Sequence, residues 1–357
     1  MAATHMPPDR TPRAAASVRL EDVCKSFGPI VAIDRISLEV PAGRLVTLLG
    51  PSGCGKTTTL RVIAGLEAPT RGRVFIGGED VTPLPAAQRR VTMVFQSYAL
   101  FPHLTVFENV AFGLRLLRQP EAEVRRRVEE ALALVGLEGT EGRFPARLSG
   151  GQQQRVSLAR ALVMEPAVIL FDEPLSNLDA KLRKHVRAEI RELQRRLGIT
   201  AVYVTHDQAE ALSLSDIIVV MHMGRVEQVG TPEELYRRPS NRFVADFIGE
   251  ANLLPATYHR GEVVVATYRL PYQQEGITDG DWTLLVRPEA VRLDAGDEGL
   301  PGTVRTAAYL GVHIEYRIET PVGMLFAIGP ADRAQVHPVG SRVTATFDVG
   351  GIYLLAR

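Results

Sequence analysis

The chain has 357 residues, a length that predicts two domains at about 150 residues each. Charged residues make up 23% and hydrophobic ones 45%, the balance of an ordinary soluble protein. With 41 Lys+Arg against 41 Asp+Glu the net charge is zero, which argues against a chain whose main work is coating nucleic acid or an anionic membrane. No apolar run reaches the ~18 residues of a spanning helix, and the first ten residues lack the apolar stretch of a secretory signal. The two cysteines, Cys24 and Cys54, cannot build a disulfide framework or a four-ligand zinc site, so a reducing cytosol is expected. Only Lys25, Lys56, Lys181 and Lys184 are lysine; all other positive side chains are Arg, so a lysine at a special place carries information.

Residues 1–17 are Pro/Ala/Arg-rich, without period, and read as a disordered tail. From Val18 to about Gly249, β-like runs at Val18–Val23, Leu45–Leu49, Val91–Phe95, Ala167–Asp172, Ala201–Thr205 and Asp216–Met221 alternate with helical stretches. The helical stretches are Gly55–Gly65, Glu121–Gly136, Gly151–Met164, Leu178–Leu197 and Gln208–Leu212. Val168–Phe171 and Ile217–Val220 are continuous apolar runs, suited to strands buried on both faces of a parallel sheet. The alternation predicts an α/β sandwich, and the amphipathic stretch Glu121–Gly136 predicts an inserted helical subdomain at about 100–155. After Gly249 the texture changes to short Val/Thr/Tyr/Leu runs broken by Gly, Pro and Asp: Glu262–Tyr268, Trp282–Arg287, Gly302–Tyr309, His313–Glu319 and Ser341–Phe347. That spacing predicts a small all-β barrel or sandwich over 251–357. Its nine Arg against twelve Asp/Glu suit nucleic acid poorly.

Gly50-Pro-Ser-Gly-Cys-Gly-Lys-Thr57 follows an apolar strand and precedes a helix, the setting a phosphate-binding loop requires. Glycines let successive N–H groups face a triphosphate, with the helix dipole behind them. Gly50, Ser52, Gly53, Cys54, Gly55, Lys56, Thr57 and Thr58 are therefore expected to bind nucleotide, Lys56 reaching the β/γ-phosphates and Thr57 holding Mg²⁺. Cys54 reads as a small loop residue shielded by nucleotide. Val168-Ile-Leu-Phe-Asp172-Glu173 ends a buried strand in two carboxylates; Asp172 can orient Mg²⁺, and Glu173 is a candidate general base for the attacking water. In Leu148-Ser-Gly-Gly-Gln152, Ser149 can N-cap the next helix and the glycines expose backbone N–H groups. One nucleotide does not need two cradles on one chain, whereas two chains packed head to tail would use both.

The order of these motifs resembles the ABC ATPase family over residues 18–249. Leu148–Gln152 is identical to the family signature, Gly50–Thr57 resembles Walker A, Asp172-Glu173 the end of Walker B, Gln96 the Q-loop, Ser176–Asp179 the D-loop, and His206 in Val204-Thr-His-Asp207 the switch histidine. Phe27 resembles the aromatic residue that stacks on adenine. Taken singly, Gln96 could merely end a strand, His206 sit in a loop and Phe27 fill a core. The resemblance implies catalytic roles for Glu173, His206 and Gln96, Mg²⁺ held by Thr57, Gln96 and Asp172, and a dimer seam at Asp179. It also implies that Ser149, Gly150, Gly151 and Gln152 serve the ATP of the opposite subunit.

The fold implied is α/β, a P-loop NTPase core of the ABC-ATPase kind over 18–250 with a helical subdomain, followed by an all-β OB-like (TOBE) domain over 251–357. Phe247–Leu254, Val286–Val291 and Tyr309–Gly311 resemble parts of that second domain. The aromatic-rich stretch 96–113 resembles the groove that takes a permease coupling helix, or else is subdomain core. The wording is closest to the spermidine/putrescine importer ATPases, so a polyamine is the expected cargo, with ferric ion, phosphonate, sulfate or sugar as alternatives. A soluble ABC ATPase outside transport is the other class. The partners implied are a second copy, two transmembrane permease subunits and a periplasmic or extracellular solute-binding protein, with no nucleic acid. The place implied is the cytoplasmic face of the plasma membrane.

Overall fold

Apolar residues at alternate positions build the first two strands. In β1 (Val18–Phe27) they bury Val18, Leu20 and Val23; in β2 (Ile30–Val40) they bury Ile33, Ile36, Leu38 and Val40. The two pair antiparallel, Val18 opposite Val40 and Leu20 opposite Leu38. The computed structural model describes residues 15–294, 296, 298–331 and 336–356. The expected tail at 1–17 lies outside them as far as residue 14. Its end is bound instead, the Ala16 carbonyl accepting from Thr200 Oγ1 at 2.7 Å.

β3 (Leu45–Leu49) is buried at every residue and leads through the glycine-rich loop into α1 (Lys56–Ala64). β4 (Arg71–Ile76) and β5 (Glu79–Asp80) complete a four-stranded sheet in the order β2-β1-β4-β5. β6 (Val91–Val94) is followed by α2 (Val106–Leu116), whose start is fixed by a reciprocal Thr105/Glu108 capping box, then by α3 (Glu121–Leu134) and α4 (Gly150–Leu162). β7 (Val168–Asp172), α5 (Ala180–Leu197), β8 (Thr200–Thr205), α6 (Gln208–Leu214), β9 (Ile217–His222) and β10 (Arg225–Gly230) complete this unit.

The central sheet runs β10-β9-β3-β8-β7-β6, parallel except for the edge strand β10. Ile169, Phe171 and Tyr203 face a core shared with α2–α5; Val168, Leu170 and Val204 face one shared with α1 and the antiparallel sheet. Strands apolar on both faces are what such a layered arrangement demands. The register aligns Leu49 with Thr205 and Asp172 with Val204, so the loops after β3, β7 and β8 leave one edge together. Ligands bind at such carboxyl edges.

The chain divides into compact units after Pro232, not at the expected Glu250. α7 (Pro232–Arg237) and α8 (Arg242–Phe247) precede ten strands: β11 (Asn252–His259), β12 (Glu262–Val265), β13 (Tyr268–Pro271), β14 (Gly280–Val286), β15 (Val291–Asp294), β16 (Leu300–Tyr309), β17 (His313–Thr320), β18 (Gly323–Pro330), β19 (Arg342–Phe347) and β20 (Ile352–Leu355). They form two five-stranded antiparallel sheets, β13-β12-β11-β14-β20 and β15-β19-β16-β17-β18. The run read as one strand, Glu262–Tyr268, is two strands of a hairpin that turns at Ala266 (φ 53°). The cause of the earlier boundary is Arg287, buried to 2% exposure. Its guanidinium donates to the carbonyls of Tyr236, Ala245 and Glu250 and lies 4.0 Å over the Tyr236 ring. These contacts bind α7 and α8 to the strands that follow.

Candidate nucleotide-binding and hydrolysis site

The loop between β3 and α1 can only be glycine at two points. A Cβ on Gly50 would stand 2.2 Å from the Met221 carbonyl oxygen, and one on Gly55, at φ 100°, 2.4 Å from that of Ala32. Gly55 is also the N-cap of α1 and provides no side-chain acceptor, so the first-turn N–H groups are left for an anion. Ser52 and Thr58 flank the turn, and Gly53 adopts φ 80°. Lys56 is buried; its ammonium donates to the carbonyls of Gly50 at 2.7 Å and Pro51 at 2.9 Å and lies 3.7 Å from Cys54 Sγ. A cation is thus held at the centre of the loop. Cys54 is buried too.

Thr57 and Asp172, brought from two elements, meet at this edge: the Thr57 hydroxyl donates to Asp172 Oδ1 at 3.2 Å. Burial pushes the Asp172 carboxyl up, and the Thr57 bond, Arg61 and Lys56 pull against it. Glu173, next in sequence, turns away through a left-handed φ of 44°, a strain typical of functional positions. Its N–H donates to the Val204 carbonyl at 3.0 Å, stitching it to β8. Its Oε2 lies 3.1 Å from Nδ1 of His206. The two adjacent carboxylates therefore have different partners, as a division between metal holding and base chemistry requires.

Gln96 is exposed after β6, and its carbonyl accepts from the Asn177 side chain at 2.9 Å. Tyr98 and Ala99 follow with φ 60° and 49°. Their carbonyls are gripped from α4: Ser157 Oγ donates to Tyr98 O at 3.0 Å, and Arg160 donates to Tyr98 O at 2.9 Å and Ala99 O at 2.7 Å. Sequence reasoning missed Ser157 and Arg160, and although it marked the Ser176–Asp179 stretch it gave Asn177 no role. The one available signal was an Arg at a helical position beside the signature, a residue type expected to keep its charge in solvent.

Ser149 caps α4 as expected, and Gln152 answers it in a reciprocal box. Among the described residues these two bond each other rather than the Gly50–Thr57 loop. Cβ atoms on Gly150 and Gly151 would crowd Leu178 and Leu182 at 3.3 and 3.1 Å, so the glycines also allow close packing beside the Ser176–Asp179 loop. Asp179 caps α5 through the Leu182 N–H at 2.9 Å. Phe27 is not core: it is 46% exposed, with the Lys25 ammonium 4.8 Å from its ring centre.

The ABC transporter family profile matches residues 33–176, and the TOBE domain profile matches residues 284–355. The ferric-ion import ATP-binding protein FbpC of Brucella abortus (strain 2308) is 55% identical over 348 residues, covering 95% of this chain and 98% of the relative. The protein of the same name from Escherichia coli (strain K12) is 54% identical, covering 85% and 87%. Among solved structures, the dimeric post-hydrolysis cassette MJ0796 bound to ADP and Pi is 34% identical, with a TM-score of 0.54 over 60% of this chain and 98% of that one. CbiO1 of Clostridium perfringens, part of the transporter complex cbiONQ, is 30% identical, with a TM-score of 0.57 over 61% and 89%.

Proposed function

The chain belongs to the ABC importer ATPases, ATP hydrolases coupled to transport, and from that premise we propose how its residues divide the work and what the importer carries. Gly50, Ser52, Gly53, Cys54, Gly55, Lys56, Thr57 and Thr58 cradle the phosphates, and Phe27 stacks on the adenine. Glu173 accepts the proton of the attacking water; His206 orients Glu173 and the terminal phosphate. The observation that carries this reading is the pair of contacts at one sheet edge, Thr57 with Asp172 and Glu173 with His206.

The donor set suits Mg²⁺. Among the described residues no cluster of three or more His, Cys, Asp or Glu forms a metal cage, and Mg²⁺ prefers one or two protein oxygens plus phosphates and water. Thr57 and Asp172 supply such oxygens, and Gln96 is assigned to complete the set. When bound, the ion neutralises phosphate charge. Ser149, Gly150, Gly151 and Gln152 act on the nucleotide of a second copy, with Asp179 at the seam; dimeric cassettes among the solved relatives support that assembly.

The cargo we assign is ferric ion. The sequence wording favoured a polyamine, but relatives 53–55% identical over most of this chain are named for Fe³⁺ import, which moves the cargo to one of the alternatives. The same relatives stand against a non-transport role. None of the described helices is long and apolar enough to cross a membrane. The likeness to import ATP-binding proteins supports work at the cytoplasmic face on a pair of permease subunits fed by a solute-binding protein. The test is uptake of radioactive iron and of radioactive spermidine in cells carrying the full importer, with wild-type or Glu173→Gln ATPase. Iron uptake that depends on Glu173 supports the assignment; spermidine uptake that depends on it reverses it.

A further inference from the structure

Behind the switch loop lies a charged cluster that the roles above do not use. Glu210, on the first turn of α6, is 3% exposed. Its Oε2 accepts from Tyr203 Oη at 3.0 Å and Thr205 Oγ1 at 2.8 Å. Thr205 Oγ1 in turn accepts the N–H of Asp207 at 3.0 Å, and Asp207 Oδ1 accepts the N–H of Glu210 at 3.0 Å. Thr205 is thereby fixed to the carboxylate directly and Asp207 through the Thr205 hydroxyl and the Glu210 N–H, while the His206 ring, 57% exposed, bears on Glu173.

Arg183 closes the cluster from α5. Nη1 reaches Asp207 Oδ2 at 3.4 Å, and Nε lies 3.9 Å from Glu210 Oε1, buried and without a hydrogen-bond partner of its own. Nη2 donates to the Leu178 carbonyl at 3.0 Å, next to Asp179. One guanidinium therefore touches the seam loop and the switch loop. A buried carboxylate is costly unless paired, and capping α6 needs only Asp207. Helix formation alone does not call for Glu210.

We propose that Arg183 and Glu210 are positioning residues for hydrolysis, a half-buried guanidinium beside a buried carboxylate and bonded to Asp207, which together carry the placement of Leu178–Asp179 into the backbone on either side of His206. The proposal rests on the roles given above to His206 and Glu173. It makes the seam loop and the histidine one mechanical element, so that a shift at the seam becomes a shift of the ring against Glu173.

The test uses the full chain with Arg183→Met, His206→Ala and the double variant. Arg183→Met is expected to lower kcat about tenfold or more, the scale of a lost charged hydrogen bond, with KM for ATP within about twofold. The double variant should fall no further than His206→Ala alone, since both act through one element. In protein labelled with ¹³C-histidine, the His206 ring resonance, assigned by its loss in His206→Ala, should shift in Arg183→Met. Multiplicative loss in the double variant overturns the proposal, as does an unmoved resonance. If His206→Ala keeps full turnover, the catalytic reading of the histidine has failed, and the resonance alone decides whether Arg183 positions it. Glu210→Gln keeps the side-chain shape and removes the charge; it serves for the same measurements if Arg183→Met does not fold.

Discussion

The side-chain amide of Asn177 donates to the main-chain carbonyl of Gln96 at 2.9 Å, across 81 residues of sequence. The bond joins the seam loop to the glutamine loop, whose next residues are held in left-handed conformations and gripped by Arg160 of the signature helix. Two loops and the signature helix are thus joined through main-chain carbonyls rather than side-chain pairs. Asn177→Ala should leave ATP affinity unchanged and slow turnover by about 2–10-fold, the worth of one net hydrogen bond. Parallel nucleotide titration and steady-state ATPase measurement check it; weakened binding with normal turnover would contradict it.

Lys56 and Glu173 should separate binding from chemistry. Lys56→Ala removes the cation held at the loop centre and should nearly abolish ATP binding. Glu173→Gln keeps the side chain's shape beside His206 but cannot accept a proton. It should bind ATP as before and lose about 10²–10⁴-fold in turnover, the usual contribution of a general base. Normal turnover in Glu173→Gln would remove Glu173 from that role.

The central sheet was legible because strands apolar on both faces, such as Val168–Phe171, leave an unmistakable run, and the residues proposed to face phosphate lie in a motif with its own spacing. The antiparallel sheet was less so. β2 carries Ile36-Ser-Leu38-Glu-Val40, a clear alternation, yet it begins with exposed Ile30 and Val31 and bulges against β1. α2 is absent from the sequence reading: its Thr105/Glu108 capping box sits among aromatic residues that suited a docking groove or a subdomain core. Arg287 could not be read at all, because its partners are main-chain carbonyls of Tyr236, Ala245 and Glu250, and carbonyls leave no trace in sequence.

Asp172 makes folding stability depend on pH. Burial raises its folded pKa above the ordinary carboxylate value, so the fold favours the protonated form. The stability this contributes is present below the unfolded pKa and is lost as pH rises through the raised one. Asp172→Asn fixes a neutral side chain in place. Without nucleotide it should melt higher than wild type at about pH 8 and match it near about pH 4, while its Mg²⁺-dependent turnover falls away. Melting curves across pH for both proteins decide it; a variant that melts lower at high pH would mean that the charged form is the stabilised one.

Ser149→Arg tests whether the signature serves the other copy. ATP binding should be normal and hydrolysis lost, because among the described residues Ser149 bonds Gln152 and not the Gly50–Thr57 loop. In the proposed two-fold dimer, whose interface repeats the same patches on both copies, each nucleotide would use the loop of one copy and the signature of the other. A mixed dimer of Ser149→Arg with Lys56→Ala then gathers both lesions at one site and leaves the other intact. It should recover ATPase activity that neither homodimer shows. No recovery on mixing would place the signature on its own chain's nucleotide.

The last prediction concerns where the chain can be cut. A break after Glu250 would follow the change in sequence texture, but it removes Arg287 and leaves three carbonyls of α7, α8 and the following turn without their buried donor. Val244, Ala245 and Ile248, all fully buried, would lose cover with it. A break after Gly230, the end of β10, strips no element of the first unit. The fragment ending at Gly230 should be monodisperse and retain cooperative unfolding and nucleotide binding, while the one ending at Glu250 should aggregate or melt lower. In the full chain Arg287→Ala should cost about 1–3 kcal/mol or more in the second unit's unfolding, the range for leaving a buried carbonyl without its donor, with ATP affinity unchanged. Denaturant titration followed by the fluorescence of Trp282, the chain's single tryptophan, reads that unit directly. A stable fragment ending at Glu250 beside an unstable one ending at Gly230 would return α7 and α8 to the first unit.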